Sequence, residues 1–221
     1  AIAGAGAAVS YYARWKEREL ASAQLESQLS EARLQSLKAQ LHPHFLFNSL
    51  HAIASLVRTG DNATAVTTIA SLSDLLRRVL DADARPEVTL AEEAAFIEHY
   101  FDIQRVRFGD RLTASIDLEP GTESRMVPTL VLQPLVENAF RHGLADRIDG
   151  ARVVLRAALD ADGRLRLAVE NDGQGLPADW TLESADGVGL RMTAARLQQR
   201  YGRDHAFAVA PRPGGGTIAT I

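Results

Sequence analysis

His44 lies in the run QLHPHFLFNSLHAI, between Pro43 and Phe45 and four residues before Asn48. A helix would place positions 44 and 48 on one face, because residues four apart are neighbours on a helix surface. A neutral imidazole is a nucleophile, and it is the main form near pH 7 because its ordinary pKa is about 6.5. His44 is therefore a candidate acceptor for a phosphoryl group, provided that a nucleotide site exists elsewhere in the chain. His42 is the rival acceptor, two residues away on a different helical face.

The run QPLVENAFRHG is a candidate nucleotide-binding helix, in which Glu137, Asn138 and His142 are polar positions among mostly apolar ones. Asn138 and His142 lie four apart and so share a helical face. An amide oxygen suits Mg²⁺, which takes few protein ligands and completes its shell with phosphates and water. His142 or its neighbour Arg141 could contact phosphate.

Two glycine-rich segments could complete such a site. One follows a predicted strand and the other opens a predicted helix, whose exposed amides suit an anion. Their candidate residues are Asn171, Gly173 and Gly175 in the first segment and Gly187, Gly189 and Leu190 in the second. Neither is a P-loop, because no Gly-Lys-Ser/Thr follows. Each segment alone is a weak signal, and Gly-Val-Gly before a helix is more often an ordinary turn than a phosphate-binding loop.

Composition limits the class of protein. The 221 residues carry a formal net charge of -4 and no cysteine. The mildly acidic balance argues against a nucleic-acid binder, which usually shows a basic face. The absence of cysteine excludes disulfides and thiolate metal sites.

The first twelve residues carry no charged side chain, and Arg14, Lys16 and Arg18 follow. A bilayer span takes about twenty apolar residues, so this run is too short to cross one. It is either the cut end of a transmembrane helix, with the cations on its cytoplasmic side, or a flexible terminus. It is not a signal peptide, because the charges follow the apolar stretch.

The N-terminal half predicts helices that need a partner. Residues 12–41 predict a helix with a stripe of leucines. A lone helix of this composition is only marginally stable in water, so the stripe favours a parallel dimer. Pro43 either kinks this helix or starts a new one. Two amphipathic helices then flank the turn Gly60-Asp61-Asn62, and two such hairpins would make a four-helix bundle in the dimer.

The C-terminal half mixes helices and strands. A capping box at Thr89 and Glu92 predicts a helix to about position 107. Alternating apolar and polar residues predict strands at 112–118, 152–158 and 165–170. Helices are predicted at 129–142 and 190–201, and a hairpin is predicted at the end of the sequence. The fold class is therefore α+β, with a helical dimerisation region followed by a two-layer α/β sandwich. We divide the chain into an N-terminal helix (1–40), a helical hairpin (41–86) and an α/β domain (87–221).

The order of these clusters, closed by a strand with Thr217 after Gly214-Gly215-Gly216, resembles the Bergerat-type ATP-binding domain. Together with PHFLFN, RFGDRL and LVLQPLVENAFRHG, it resembles the LytS/AlgZ-type family of sensor histidine kinases from about Gln40 onward.

The resemblance implies a role for each candidate residue. His44 matches the phospho-accepting histidine, and Asn138 matches the magnesium ligand with Glu137 as its acidic neighbour. The remaining positions match ATP contacts, and they are His142, Asn171, Gly173, Gly175, Gly187, Gly189, Leu190 and Thr217. Asn48 could orient a hydrolytic water or cap local backbone.

Three positions depart from the broader kinase pattern. Phe45 replaces the acid that often follows the histidine, Asn171 replaces the Asp that accepts the adenine amino group, and Met192 replaces an Asn. The amide oxygen of Asn171 can still accept that hydrogen bond, without charge.

The resemblance implies a homodimeric histidine kinase that uses ATP and Mg²⁺, phosphorylates itself on His44 and passes the phosphoryl group to an Asp of a response regulator. It implies that 1–40 is a membrane-proximal signalling helix, 41–86 a dimerisation and phosphotransfer hairpin and 87–221 an ATP-binding domain. It also implies that the chain is the cytoplasmic portion of a bacterial inner-membrane protein. The acidic net charge argues against a nucleic-acid partner. The alternatives are a net phosphatase, a serine kinase of the anti-sigma type, and a nucleotide-gated scaffold without transfer.

Overall fold

The structure is a computed structural model that describes residue 16 and residues 43–81, 84–144, 150–177, 180–182 and 188–221. The predictions for residues 1–40, and those for His42 and Gly187, fall outside the described residues. The chain divides into two compact units, Ala1–Leu46 and Phe47–Ile221. The contacts given below all lie within the second unit.

A helical pair opens the described chain. Helix α1 runs Pro43–Thr59 and helix α2 runs Asn62–Asp81. The turn between them uses Gly60, whose φ of 81° favours glycine. Asp61 then caps α2, because its Oδ1 accepts the Thr64 N–H at 3.2 Å. The two predicted helices and their turn are confirmed.

Each helix of the pair leaves an apolar stripe in solvent in the single chain. The residues recur at steps of three and four or their sums, as in a packed bundle seam. On α1 they are Phe47, Leu50 and Val57, and on α2 they are Val66, Ile69 and Leu80. All six are about half exposed or more, from 48% for Ile69 to 66% for Val66.

Helix α3 runs Leu90–Phe108 behind the predicted capping box. The Thr89 hydroxyl accepts the Glu92 N–H at 3.2 Å, and Glu92 Oε2 accepts the Thr89 N–H at 2.9 Å. The buried face of α2, which includes Leu72 and Leu75, packs against α3. Helix α3 in turn packs on the sheet through fully buried residues such as Phe101.

The main sheet has five strands in the order β2-β4-β5-β7-β6. The strands are β2 (Leu112–Leu118), β4 (Ala151–Leu159), β5 (Leu165–Asn171), β6 (Ala208–Pro211) and β7 (Thr217–Thr220). Helix α3 covers β2, and helix α4 (Gln133–Leu144) covers β4 and β5. Helix α5 (Val188–Tyr201) packs beside α4. This arrangement is the two-layer sandwich that the sequence predicts.

Two features of the sheets were not predicted. Strands β1 (Glu87–Thr89) and β3 (Met126–Pro128) form a separate antiparallel pair. Strand β2 pairs with β4 in parallel, with Leu112 opposite Ala151, while the other pairs in the main sheet are antiparallel. Within the described ranges, no helix is long and apolar enough to span a membrane.

Candidate functional site

Helix α4 carries the candidate metal and phosphate residues. Its apolar residues Leu135, Val136, Ala139 and Phe140 are buried and fix the helix on the sheet. The intervening polar residues lie toward the rim of this face. The amphipathic pattern of the sequence therefore decides which side of α4 is left for a ligand.

Glu137 and Asn138 are both half-buried on α4. Gln133 Nε2 donates to Glu137 Oε1 at 2.8 Å. The Tyr100 hydroxyl on α3 accepts from Gln104 Nε2 at 2.9 Å. Burial raises the pKa of Tyr100, and the nearby Glu137 charge raises it further. Glu137 is thus fixed on its own helix by Gln133, and its charge acts on the buried tyrosine of α3.

Asn171, at the end of β5, joins three elements through one amide group. It is 1% exposed. Its Oδ1 accepts the Thr217 N–H at 2.9 Å and also accepts from the Thr217 hydroxyl. Its Nδ2 donates to the Ala139 carbonyl of α4 at 3.2 Å. A backbone N–H on one side and a carbonyl on the other fix which end of the amide is oxygen.

Glycines allow these elements to approach closely around Asn171. A Cβ added to Gly143 of α4 would lie 3.0 Å from Asn171 Nδ2. A Cβ added to Gly216 would lie 1.9 Å from the Asn171 carbonyl oxygen, and one added to Gly175 would lie 3.6 Å from Gly216 O. The structure therefore brings together α4, the turn after β5 and the start of β7, as the sequence predicts.

The start of helix α5 lies against the start of α4. A Cβ added to Gly189 would lie 3.3 Å from Pro134 Cβ. Leu190 is buried, whereas Met192 is 57% exposed. The Thr193 hydroxyl donates to the Gly189 carbonyl at 3.0 Å. The N-terminal ends of two helices thus meet, and exposed amides at helix starts favour anions.

The other predicted positions are placed by the backbone. His44 lies in α1, one turn before the half-buried Asn48, and His142 lies in α4. The side chains of His44 and His142 fall outside the described residues. Gly173 lies in the turn that follows β5. Their proposed roles stay predictions.

A magnesium ion would have few protein ligands here. Among the described residues, no group of three or more His, Cys, Asp or Glu side chains is placed to hold a metal ion. Asn138 makes no side-chain hydrogen bond to another described residue. The Asn138 amide supplies one oxygen, and Mg²⁺ usually takes only one or two protein ligands and completes its shell with phosphates and water.

Two residues that the sequence analysis did not single out lie behind the start of α4. Glu93 on α3 is fully buried, and its Oε1 accepts the Leu130 N–H at 2.7 Å. Arg196 on α5 donates from Nη1 to the Thr129 carbonyl at 2.6 Å. The signal for Glu93 is an acidic residue between the apolar positions Leu90 and Phe96 of an amphipathic helix, where burial requires a partner.

Comparison with known proteins identifies the family. A family model described as histidine kinase matches residues 32–112. The chain is 34% identical over 198 residues to the sensor histidine kinase BtsS of Escherichia coli K12, covering 89% of this chain and 34% of BtsS. It is 29% identical over 210 residues to the sensor histidine kinase/phosphatase LytS of Staphylococcus aureus MRSA252, covering 90% of this chain and 36% of LytS. The chain belongs to the LytS-type family of sensor histidine kinases.

As a member of the LytS-type family, the chain spans about a third of the length of the curated relatives that it matches. A solved histidine kinase domain, from the blue-light activated histidine kinase EL346 of Erythrobacter litoralis, has a TM-score of 0.49 and 21% identity. That comparison covers 84% of this chain and 93% of the solved chain.

In this LytS-type chain, the hydrogen bonds of Asn171 bear on its predicted contact with adenine. The predicted role of this residue is to accept the adenine amino group. Both lone-pair directions of its amide oxygen already receive hydrogen bonds from Thr217. An adenine amino group would therefore share this oxygen with Thr217.

Proposed function

We propose that this chain is the catalytic core of a two-component sensor histidine kinase. It transfers the γ-phosphoryl group of ATP to His44 and then to an aspartate of a response regulator. The observation that carries the proposal is the Asn171 amide, which joins α4, β5 and β7 into one site in a chain that also carries the His44 helix.

The site suits phosphoryl transfer because this reaction depends mainly on positioning and on stabilising charge. The helix start at Gly189 and Leu190 supplies backbone amides for phosphate oxygens. The polar face of α4 supplies Asn138 and Glu137. Glycines let α4, the turn after β5 and the start of β7 approach one another closely, since any other residue would add a Cβ there.

The chemistry at His44 is a nucleophilic displacement. One unprotonated ring nitrogen forms a bond to the γ-phosphorus while the bond from phosphorus to the ADP oxygen breaks. The proton on the other ring nitrogen is released to solvent. Transfer to the regulator then exchanges the N–P bond for an O–P bond on the receiving carboxylate.

Asn138 is the residue that would hold Mg²⁺, together with phosphate oxygens and water. When bound, the ion neutralises negative charge on the phosphates. Glu137 holds a second polar position beside it, fixed by Gln133. The half-buried placement of both residues limits the water that competes with these contacts.

The exposed stripes of α1 and α2 support a homodimer. They form two apolar faces at bundle spacing in the single chain. Two copies would bury both faces in a four-helix bundle. The dimer is the species that would present His44, and we propose that the chain continues from a membrane-bound sensor region at its N-terminal side.

The direct test is incubation with γ-labelled ATP and Mg²⁺, comparing the wild type with His44→Gln and Asn138→Asp. Label that is acid-labile and alkali-stable is expected in the wild type and absent from His44→Gln. A His42→Gln variant is the matched control and is expected to be labelled normally. Label that survives His44→Gln would overturn the assignment of His44.

A phosphatase is the second candidate, because the S. aureus relative is named a kinase/phosphatase. Asn48 lies one helical turn after His44 and could orient a water toward a phosphorylated regulator. An Asn48→Ala variant that keeps self-phosphorylation but slows dephosphorylation of the regulator would support this role.

A further inference from the structure

The buried carboxylate of Glu93 lies directly behind the start of helix α4. Oε1 accepts the Leu130 N–H at 2.7 Å, and Oε2 faces the Leu132 N–H at 3.4 Å. The Leu132 carbonyl accepts the Val136 N–H at 3.0 Å and so belongs to the first helical turn. A negative charge at a helix N-terminus is stabilised by the helix dipole. Glu93 thus fixes both the position and the direction of this helix start.

The turn at residues 129–132 is one that the chain would not adopt unaided. Leu130 has a φ of 59°, the one positive φ at a non-glycine position in the described chain. Such a conformation persists only where surrounding contacts hold it. The short hydrogen bond from Leu130 N–H to Glu93 is that contact. The turn is also closed by the Val131 N–H, which donates to the Pro128 carbonyl at 3.1 Å.

Arg196 on α5 holds the same turn from its other side. Its Nη1 atom donates to the Thr129 carbonyl at 2.6 Å. The charge of Arg196, together with that of Arg78 on α2, lowers the pKa of Glu93 against the larger raising effect of burial. The turn at 129–132 is therefore fixed by hydrogen bonds from both α3 and α5.

The same turn is tied to the segment that joins α2 to β1. The Thr129 N–H donates to the Pro86 carbonyl at 3.1 Å, and the Thr129 hydroxyl donates to the Arg85 carbonyl. The turn therefore contacts the segment that follows α2, helix α3 and helix α5. It leads directly into the helix that carries Glu137 and Asn138.

We propose that Glu93 is a positioning residue of the nucleotide site, which fixes the turn at 129–132 and thereby the placement of Asn138. The inference rests on the proposed function in one respect, namely that Asn138 contributes to binding of a magnesium nucleotide. It adds a link between the segment that follows α2 and the placement of α4.

The test measures binding of a non-hydrolysable ATP analogue calorimetrically, with Mg²⁺ and with chelator, on the full chain. The gain in affinity from Mg²⁺ is the readout, because misplacing Asn138 lowers that gain while a loss of folded protein lowers the binding stoichiometry. Glu93→Gln is expected to reduce the gain about three- to ten-fold. Removing a residue that bonds a metal ligand directly costs more, about 10- to 100-fold.

Matched controls come from neighbouring and equivalent residues. Glu119→Gln removes an exposed carboxylate and is expected to leave the gain unchanged. Arg196→Met is the second variant, should Glu93→Gln not fold, and is expected to lower the gain because it removes the hydrogen bond to the Thr129 carbonyl. Its control is Arg77→Met, since Arg77 is exposed and forms only a 3.8 Å surface ion pair with Asp74.

The outcomes separate this inference from the proposed function. A wild-type gain retained in Glu93→Gln would overturn the inference, as would equal losses of affinity with and without Mg²⁺. Nucleotide binding without label on His44 would contradict the proposed function, and the magnesium gain would still decide the role of Glu93. A wild-type chain that binds no nucleotide would overturn both.

Discussion

The side-chain oxygen of Asn171 accepts two hydrogen bonds from Thr217, one from the backbone N–H at 2.9 Å and one from the hydroxyl. The amide nitrogen meanwhile donates to the Ala139 carbonyl at 3.2 Å. A carboxylate has no N–H to offer that carbonyl. This position is therefore matched to asparagine in this chain, although an aspartate is the residue expected in the broader kinase pattern.

Asn171→Asp is expected to destabilise the fold. The substitution places a carboxylate oxygen opposite the Ala139 carbonyl, with no donor between them. Leaving buried polar groups unpaired costs about 1–3 kcal/mol, which thermal unfolding would detect as a lower Tm. Thr217→Ser keeps both hydrogen-bond donors and serves as the control. A Tm for Asn171→Asp equal to or above that of the wild type would contradict this account.

Two glycines of the same loop are expected to respond differently to alanine. A Cβ at Gly216 would lie 1.9 Å from the Asn171 carbonyl oxygen at a φ of 92°. Gly216→Ala should therefore cost about 3 kcal/mol or more and abolish nucleotide binding.

Gly214→Ala is the matched comparison. Gly214 has a φ of 88°, with nothing within 4 Å of an added Cβ. It should cost only the backbone strain of about 1–2 kcal/mol and preserve nucleotide binding. Denaturant unfolding and calorimetric binding measure both quantities. Equal losses of stability in the two variants would show that the close approach at Gly216 is not decisive.

The exposed apolar stripes predict a dimer that a single charge disrupts. Ile69 is 48% exposed on α2 in the single chain. Ile69→Glu is expected to raise the dimer dissociation constant at least about ten-fold, because an unpaired charge in a packed interface is strongly unfavourable. Sedimentation velocity measures the shift. Thr67→Glu adds the same charge at an exposed position off the stripe and should remain dimeric.

Adjacent glutamates on α3 are expected to show opposite dependence of stability on pH. The Thr89 N–H and the Arg85 guanidinium lower the pKa of Glu92 below its ordinary 4.5. Its stabilising effect is therefore present above pH 4.5 and is lost as the pH falls through the folded-state pKa. Burial raises the pKa of Glu93. This effect outweighs the lowering of the pKa by the Leu130 and Leu132 amides and by the charges of Arg78 and Arg196.

The contribution of Glu93 to stability changes with pH in the opposite direction to that of Glu92. The folded protein binds the Glu93 proton more tightly than the unfolded chain, so this contribution falls as pH rises above 4.5. Denaturant unfolding of Glu92→Gln and Glu93→Gln from low to neutral pH measures both contributions. On acidification, the difference in free energy of unfolding between wild type and Glu92→Gln should shrink. The corresponding difference for Glu93→Gln should grow. Parallel curves for the two variants would contradict the opposite shifts.

Much of the fold follows from local patterns in the sequence. The capping box at Thr89 and Glu92 starts α3 where predicted, and alternating residues locate β2, β4 and β5. Strands β1 and β3 were not predicted, because three residues are too few for alternation to be visible. The parallel pairing of β2 with β4 depends on long-range packing rather than on local alternation.

The candidate site could be predicted from the sequence only in part. The resemblance to the Bergerat-type domain placed Asn171, Thr217 and helix α4 in one site, and the structure brings them together. The pairing of Glu93 with the turn at Leu130 spans 37 residues of sequence, and no local signal specifies it. A buried acid can be suspected from an amphipathic helix, but its partner is set by tertiary packing.

The most direct measurement of the central claim locates the phosphoryl group. The wild-type chain is incubated with ATP and Mg²⁺, digested under neutral conditions that preserve phosphohistidine, and sequenced by mass spectrometry. We expect a phosphate on His44 and none on His42. When ATP is replaced by a non-hydrolysable analogue, we expect no phosphate on His44. A phosphate on His42, on a serine, or nowhere despite nucleotide binding would contradict it.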